Sequence, residues 1–144
     1  RIPDPYRIVL TMRFLEDLRA YAASFAGTGQ ALVLCGDMNV ALTDLDVHPK
    51  ERKPTAIGQL PEERTLFGRL IASGLVDVGR TLDPDNDAYF TWWPPWRSMR
   101  QRNIGWRIDY VLASTALAAT ASTCPSFREI GTSDHAPVVA TFGA

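Results

Sequence analysis

Two short stretches carry the side chains best suited to chemistry: Gly36-Asp37-Met38-Asn39, and Ser133-Asp134-His135 near the other end of the chain. Each sets a carboxylate beside a second polar group at the end of an apolar run. Residues 31 to 35 lead into the first, and residues 138 to 142 lead out of the second. A β-sheet presents acids and an imidazole at its rim in this way. The combination suits phosphoryl chemistry at a metal. A phosphodiester is anionic and repels hydroxide, so its cleavage takes a cation on the phosphate oxygens, a group that activates water and a donor for the developing charge. Asp134 can hold a hard cation through oxygen, Asp37 can take a proton, and His135 can donate. Alone, an Asp-His dipeptide or a Gly-Asp turn is more often unrelated to catalysis. The weight comes from a third stretch between them, Asn103-Ile104-Gly105-Trp106-Arg107-Ile108-Asp109-Tyr110.

Taken in order, the Gly-Asp-Met-Asn tetrapeptide, Arg107-Ile108-Asp109-Tyr110 and Ser-Asp-His-Ala-Pro-Val resemble the C-terminal half of the exonuclease III / AP endonuclease family, within the endonuclease/exonuclease/phosphatase superfamily. The likeness runs through nearly the whole chain. The first and last motifs are shared across the superfamily; Gly-Trp-Arg-Ile-Asp-Tyr after an aromatic Thr-Trp-Trp segment is specific to the abasic-site branch. The resemblance implies an α/β chain forming part of a four-layered α/β/β/α sandwich (DNase I-like), with residues 1–144 a single partial domain lacking its N-terminal half. It further implies hydrolysis of DNA phosphodiesters with Mg2+, or Mn2+, 5′ to abasic sites and from 3′ ends, in base excision repair in a bacterial-type cytoplasm.

The same resemblance distributes the roles. Asp134, with Asp37 and Asn39, would hold the metal. Asp37 would handle the proton of the water or leaving group, and Asn39 would position the water and touch the phosphate. Asp109 would accept a hydrogen bond from His135, fixing the ring's tautomer and favouring the imidazolium. Trp92, Trp106 and Ile108 would wall a small apolar pocket for a base-free deoxyribose, while Trp96 and Arg97 would enter the bent duplex and Asn103 would also meet the substrate. The expected partners are double-stranded DNA with abasic sites or 3′ ends and the other half of the same fold. Relatives draw a metal-binding glutamate and a Tyr/Asn pair from that half, so the isolated chain should bind Mg2+ poorly and expose an apolar sheet face. Two further readings stay open: another phosphodiesterase or phosphatase of the superfamily, and a DNA-binding module without catalysis.

Elements must position these groups. Residues 11 to 26 place Phe14, Leu15, Leu18, Ala22 and Phe25 at helical spacing, with Gly27 after them. The run 31 to 35 is continuously apolar, the pattern of a central strand buried on both faces, and Gly36 predicts a tight turn behind it. Residues 40 to 60 read as loop, with His48 a surface residue. Pro61, Glu62 and Glu63 open a helix whose buried stripe is Leu66, Phe67, Leu70 and Ile71. Residues 90 to 93 return to extended structure before Pro94-Pro95 breaks it, 110 to 113 continue a strand, and 138 to 140 predict the last one.

A net charge of −1 does not announce a nucleic-acid partner, so the distribution of charge matters more. Arg97, Arg100, Arg102 and Arg107 fall in one run without an acid, predicting a local basic strip. Three of the four tryptophans, Trp92, Trp93 and Trp96, crowd the preceding segment, more than core packing alone asks for. Asp83, Asp85 and Asp87 imitate a calcium loop, but Ala88 stands where glycine is needed and Pro94 where glutamate should chelate, so a polar turn is the better reading. Cys35 and Cys124 predict two reduced, buried thiols. The chain begins at Arg1, with Pro3 and Pro5 close behind and no start-like organisation, as a chain that begins mid-protein would.

Overall fold

The computed structural model describes residues 4 to 143; Arg1 and Pro3 lie outside them. Helix α1 (Asp4–Ala23) is followed by strand β1 (Val33–Asp37), helix α2 (Pro61–Ala72), strand β2 (Leu75–Asp77), the short helix α3 (Val78–Leu82), strand β3 (Asp109–Ser114), the single-turn α4 (Thr115–Ala118) and two short strands, β4 (Ala121–Thr123) and β5 (Thr141–Phe142). Three strands form one sheet in the order β1-β3-β2, antiparallel throughout, and β4 pairs with β5 in a separate ribbon. This is a mixed α/β architecture, as the resemblance implies.

One face of the main sheet is covered by α1 and α2. Leu15 and Ala22 from α1 and Leu66, Phe67 and Leu70 from α2 pack on Leu75, Tyr110 and Leu112 of the sheet and on Met38 and Val40 beyond β1. Proline at the start of α2 gives up a backbone donor that a first turn leaves unpaired in any case, and Glu62 and Glu63 sit at the positive end of the helix. Helix α1 starts earlier than expected, and Phe14 is exposed rather than buried. The buried line runs through Met12, Leu15, Leu18 and Ala22, and Phe14 lies about a hundred degrees off it. Phe25 falls beyond the helix end, edge-on to Tyr21.

The expectation of a central strand buried on both faces does not hold for residues 31 to 35. Among the described residues β1 is an edge strand, and Val33 (40% exposed) and Cys35 face solvent on the side away from the helices. A continuous apolar run is the same in sequence whether or not a second layer covers it. Cys35 is therefore an exposed thiol and only Cys124 is buried. Gly36 does not make a turn either: it lies within β1 opposite Tyr110 at φ +146°, a conformation open to glycine and strained for other residues. The chain turns later, at Asn39, whose φ is +54°. The last strand is Thr141–Phe142 rather than 138 to 140. Residues 137 to 139 instead make a single antiparallel bridge, Val138 to Ser126, with the Pro137 carbonyl accepting from the Phe127 amide and the Val139 amide donating to the Pro125 carbonyl.

Candidate active site

The antiparallel register places Asp37, the last residue of β1, directly opposite Asp109, the first of β3. Residues paired in this way project to the same face, so both carboxylates leave the sheet at one end, on the side away from α1 and α2. There the His135 ring meets Asp109, with Nδ1 2.9 Å from Oδ2 and 3.1 Å from Oδ1. The Thr91 hydroxyl donates to the same Oδ2 at 2.7 Å and accepts from the backbone amides of Ile108 and Asp109 at 3.0 Å each. Asp109 is thus fixed from two directions, and an acceptor at that nitrogen leaves Nε2 as the free end of the ring.

Asn39 folds back on Asp37: its backbone amide donates to Oδ1 at 2.8 Å and its side-chain amide to Oδ2 at 3.0 Å. Desolvation by the crowded strand end pushes the Asp37 carboxyl above its ordinary range. The Asn39 backbone amide pulls the other way, and the negative charge of Asp109 adds to the rise. Asp134 behaves oppositely. It is exposed, and the Trp92 indole, donating from Nε1 to Oδ2 at 3.0 Å, holds its carboxyl below the usual range. The backbone ties the same segments together, with the Trp93 amide donating to the Asp134 carbonyl and Ala136 to the Thr91 carbonyl.

Beside these acids stand the aromatic residues. Trp92 and Trp106 meet edge to face with centroids 5.8 Å apart, and both pack on Ala41, Val47 and Ile108. The Trp92 ring centroid is 6.4 Å from that of His135. Trp96 is 57% exposed and Arg97 follows it at φ +52°, so both project from a strained turn. Asn103 bonds to none of these acids. Its carbonyl oxygen accepts from the Trp93 indole at 3.1 Å and its amide nitrogen donates to the Ala88 carbonyl at 3.0 Å, which locks the base of the turn. Residues 83 to 87 form a polar turn in which the Asn86 amide donates to Asp83 at 2.6 Å.

The arginine run divides. Arg97 and Arg102 are exposed, whereas Arg107 is 1% exposed and bound by acids. It donates to Asp46 at 2.6 Å and to both oxygens of Asp77 at 2.9 and 2.7 Å, and Arg80 reaches Asp46 at 2.8 Å. This quartet of two acids and two bases anchors the residue immediately before Ile108 and Asp109. Thr91, Asp46 and Asp77 were not among the residues singled out from sequence. The only local sign of Thr91 is a hydroxyl amid an aromatic run.

The oxygen donors of Asp37, Asn39 and Asp134 are the kind that a hard divalent cation takes. Among the described residues no three His, Cys, Asp or Glu side chains gather as a metal cluster. With one or two carboxylates available, such an ion would have to keep several of its waters. No described helix is long and apolar enough to cross a membrane.

The model of the Endonuclease/Exonuclease/phosphatase family matches residues 1–135. The chain is 35% identical over 133 residues to an exodeoxyribonuclease of Bacillus subtilis, covering 92% of this chain and 52% of that protein. It is 37% identical over 123 residues to the DNA repair nuclease APEX1 of Danio rerio, covering 85% of this chain and 39% of that one. Among solved structures, an AP endonuclease from Archaeoglobus fulgidus superposes with a TM-score of 0.83 at 28% identity, covering 92% of this chain and 53% of the other. A 3′-5′ exonuclease from Neisseria meningitidis gives 0.83 at 34%, with 90% and 52% covered. The chain spans about half the length of the exodeoxyribonuclease and of both solved structures.

Proposed function

The chain belongs to the Endonuclease/Exonuclease/phosphatase family, and on that premise we propose that the full protein is a Mg2+-dependent DNA repair nuclease that hydrolyses the phosphodiester 5′ to abasic sites and trims 3′ ends. The observation that carries this reading is the meeting of Asp37, Asp109 and His135 at one sheet end, set by strand register and by the 2.9 Å Asp109–His135 contact. The half of the sandwich not represented here would cover the solvent-facing side of β1, so residues 1–144 act as one partial domain. The likeness to an exodeoxyribonuclease and to AP endonucleases supports DNA as substrate, and the likeness to a bacterial exodeoxyribonuclease supports work in a bacterial cytoplasm.

Each residue has a distinct task. Asp37, its carboxyl raised chiefly by desolvation, is suited to take a proton from the attacking water or to pass one to the leaving oxygen. Asn39 holds that carboxylate through two donors and, by rotation of its amide, meets a phosphate oxygen. His135, held by Asp109, which Thr91 fixes in turn, directs Nε2 at the charge that develops on phosphorus-bound oxygen and donates there as the imidazolium. Asp134 and the oxygens of Asp37 and Asn39 would hold a divalent cation, whose charge neutralises the phosphate oxygens when bound. Trp92, Trp106 and Ile108 offer an apolar wall that suits a sugar without a base, and Trp96 and Arg97 offer side chains to the duplex. Asn103 braces the turn through Trp93 and Ala88 and would meet the substrate from there.

The test is a full-length protein assayed on duplexes with one abasic site, with and without Mg2+, and against inositol phosphate and RNA substrates. We expect cleavage of the abasic duplex that EDTA abolishes and that His135→Asn lowers by about 100- to 1,000-fold, the usual cost of one donor to a developing oxyanion. Preferred turnover of a non-DNA phosphoester, or an unchanged rate for His135→Asn, would overturn the reading.

A further inference from the structure

Arg100 belongs to the basic run, yet it is not presented to a ligand. It is half-buried, with its guanidinium carbon 4.8 Å from the centroid of the Trp93 ring. Its hydrogen bonds all go to backbone carbonyls of the segment that carries Asp134 and His135. Nε donates to Arg128 at 2.7 Å, Nη2 to Ile130 at 2.7 Å and Nη1 to Ser133, with the His135 carbonyl 3.5 Å from Nη1. That segment belongs to no helix or strand, and one planar fork gathers carbonyls spread over eight residues of it. Between the Trp96 turn and this segment lies a cavity of about 420 Å³ whose lining includes Trp96, Arg100, Ser133 and Asp134.

We propose that Arg100 is a positioning residue that sets the backbone of residues 128 to 135, and with it the places of Asp134 and His135, instead of meeting a DNA phosphate as a surface cation. The proposal rests on the nuclease reading for its consequence but not for its geometry. A guanidinium offers five N–H donors in a fixed plane, matched here to carbonyls in several directions; an ammonium on a flexible stem keeps the charge and loses the fork. Because the same side chain stacks on Trp93 and leaves the chain four residues after Trp96, it also ties the duplex-facing turn to the acid and imidazole.

The experiment compares Arg100→Lys and Arg100→Ala with the wild type in the full-length protein. The readouts are amide hydrogen exchange over residues 128 to 136 without metal or DNA, kcat at saturating abasic duplex, and the salt dependence of DNA binding in EDTA. We expect faster exchange confined to that segment in both variants. We also expect kcat to fall about 10- to 100-fold in both, as displacement of a reacting group by about 1 Å does, with the slope of log affinity against log salt unchanged. The opposite result overturns the proposal: a lysine variant with wild-type exchange and kcat, and an alanine variant whose salt slope drops by about 0.9, the signature of one lost phosphate contact. Should the alanine variant fail to fold, the lysine variant decides alone. Should the wild type cleave no DNA, the nuclease reading falls and the exchange comparison still decides the role of Arg100.

Discussion

Replacing Asp46 by asparagine tests the ion quartet beneath the site. Asp46 is fully buried and uses both oxygens: Oδ1 accepts from Arg107 at 2.6 Å and Arg80 at 2.8 Å, and Oδ2 accepts from the Thr43 amide at 2.9 Å and its hydroxyl at 3.0 Å. An amide of the same shape must turn its NH2 either toward the guanidinium groups or toward the Thr43 amide donor, so at least one contact becomes a clash of donors. The substitution also leaves the quartet with one unbalanced positive charge. Removing one partner of a buried ion pair costs about 3 to 5 kcal/mol, and the two bonds that Asp77 keeps to Arg107 place this case near 3. For a protein of roughly 250 residues that corresponds to a fall in melting temperature of about 6 to 12 °C. Denaturant unfolding of the full-length protein at several pH values is the assay. Burial opposes the Asp46 charge, but Arg107 and Arg80 outweigh it and hold the carboxyl below its ordinary value of 3.8. A depressed folded-state value gives stability that is present above the unfolded value and lost as pH falls through the folded one. The gap between wild type and Asp46→Asn should therefore close in acid, below 3.8. A loss under about 1 kcal/mol at neutral pH, or a gap that widens on acidification, would refute the argument.

Two further substitutions probe the site directly. Asp37→Asn removes a charge that the fold disfavours: its raised carboxyl gives stability below the ordinary value of 3.8 that is lost as pH rises through the folded value. In EDTA at neutral pH the variant should melt at or above the wild-type temperature while cleavage falls by about 100-fold or more, and a lower melting temperature would contradict this. Gly58→Ala builds a Cβ 2.8 Å from the Asn39 carbonyl oxygen and 3.1 Å from the Trp106 ring, at φ +88°. Backbone strain alone costs about 1 to 3 kcal/mol. Stability and kcat should fall together, and an unchanged melting curve would show that the Gly58 loop does not support Asn39.

What was legible in the sequence was local. Pro61 with two glutamates, followed by Leu66, Phe67 and Leu70, specifies α2 because capping and helical period agree within twelve residues. Asp37, Asn39, Asp109, Asp134 and His135 stood out because three short motifs fall in the order that one nuclease family uses, whereas each motif alone is commonplace. The arginines were not legible, since nothing near Arg100 or Arg107 says that one binds carbonyls about thirty residues on and the other an acid sixty residues back. The exposure of Val33 and Cys35 was hidden for a different reason: an apolar strand reads identically whether its second face meets protein or water.

The pairing of Asp37 with Asp109 at the final rung of β1 and β3 bears on how this scaffold can change over time. Side chains alternate faces along a strand, so one residue gained or lost inside either strand would send an acid to the helix-covered side and dismantle the constellation in a single step. Extra residues are expected to be tolerated only in the connections, between Asn39 and Pro61 or around the turn at Trp96, where they reshape the surface beside the site while the acids stay in phase.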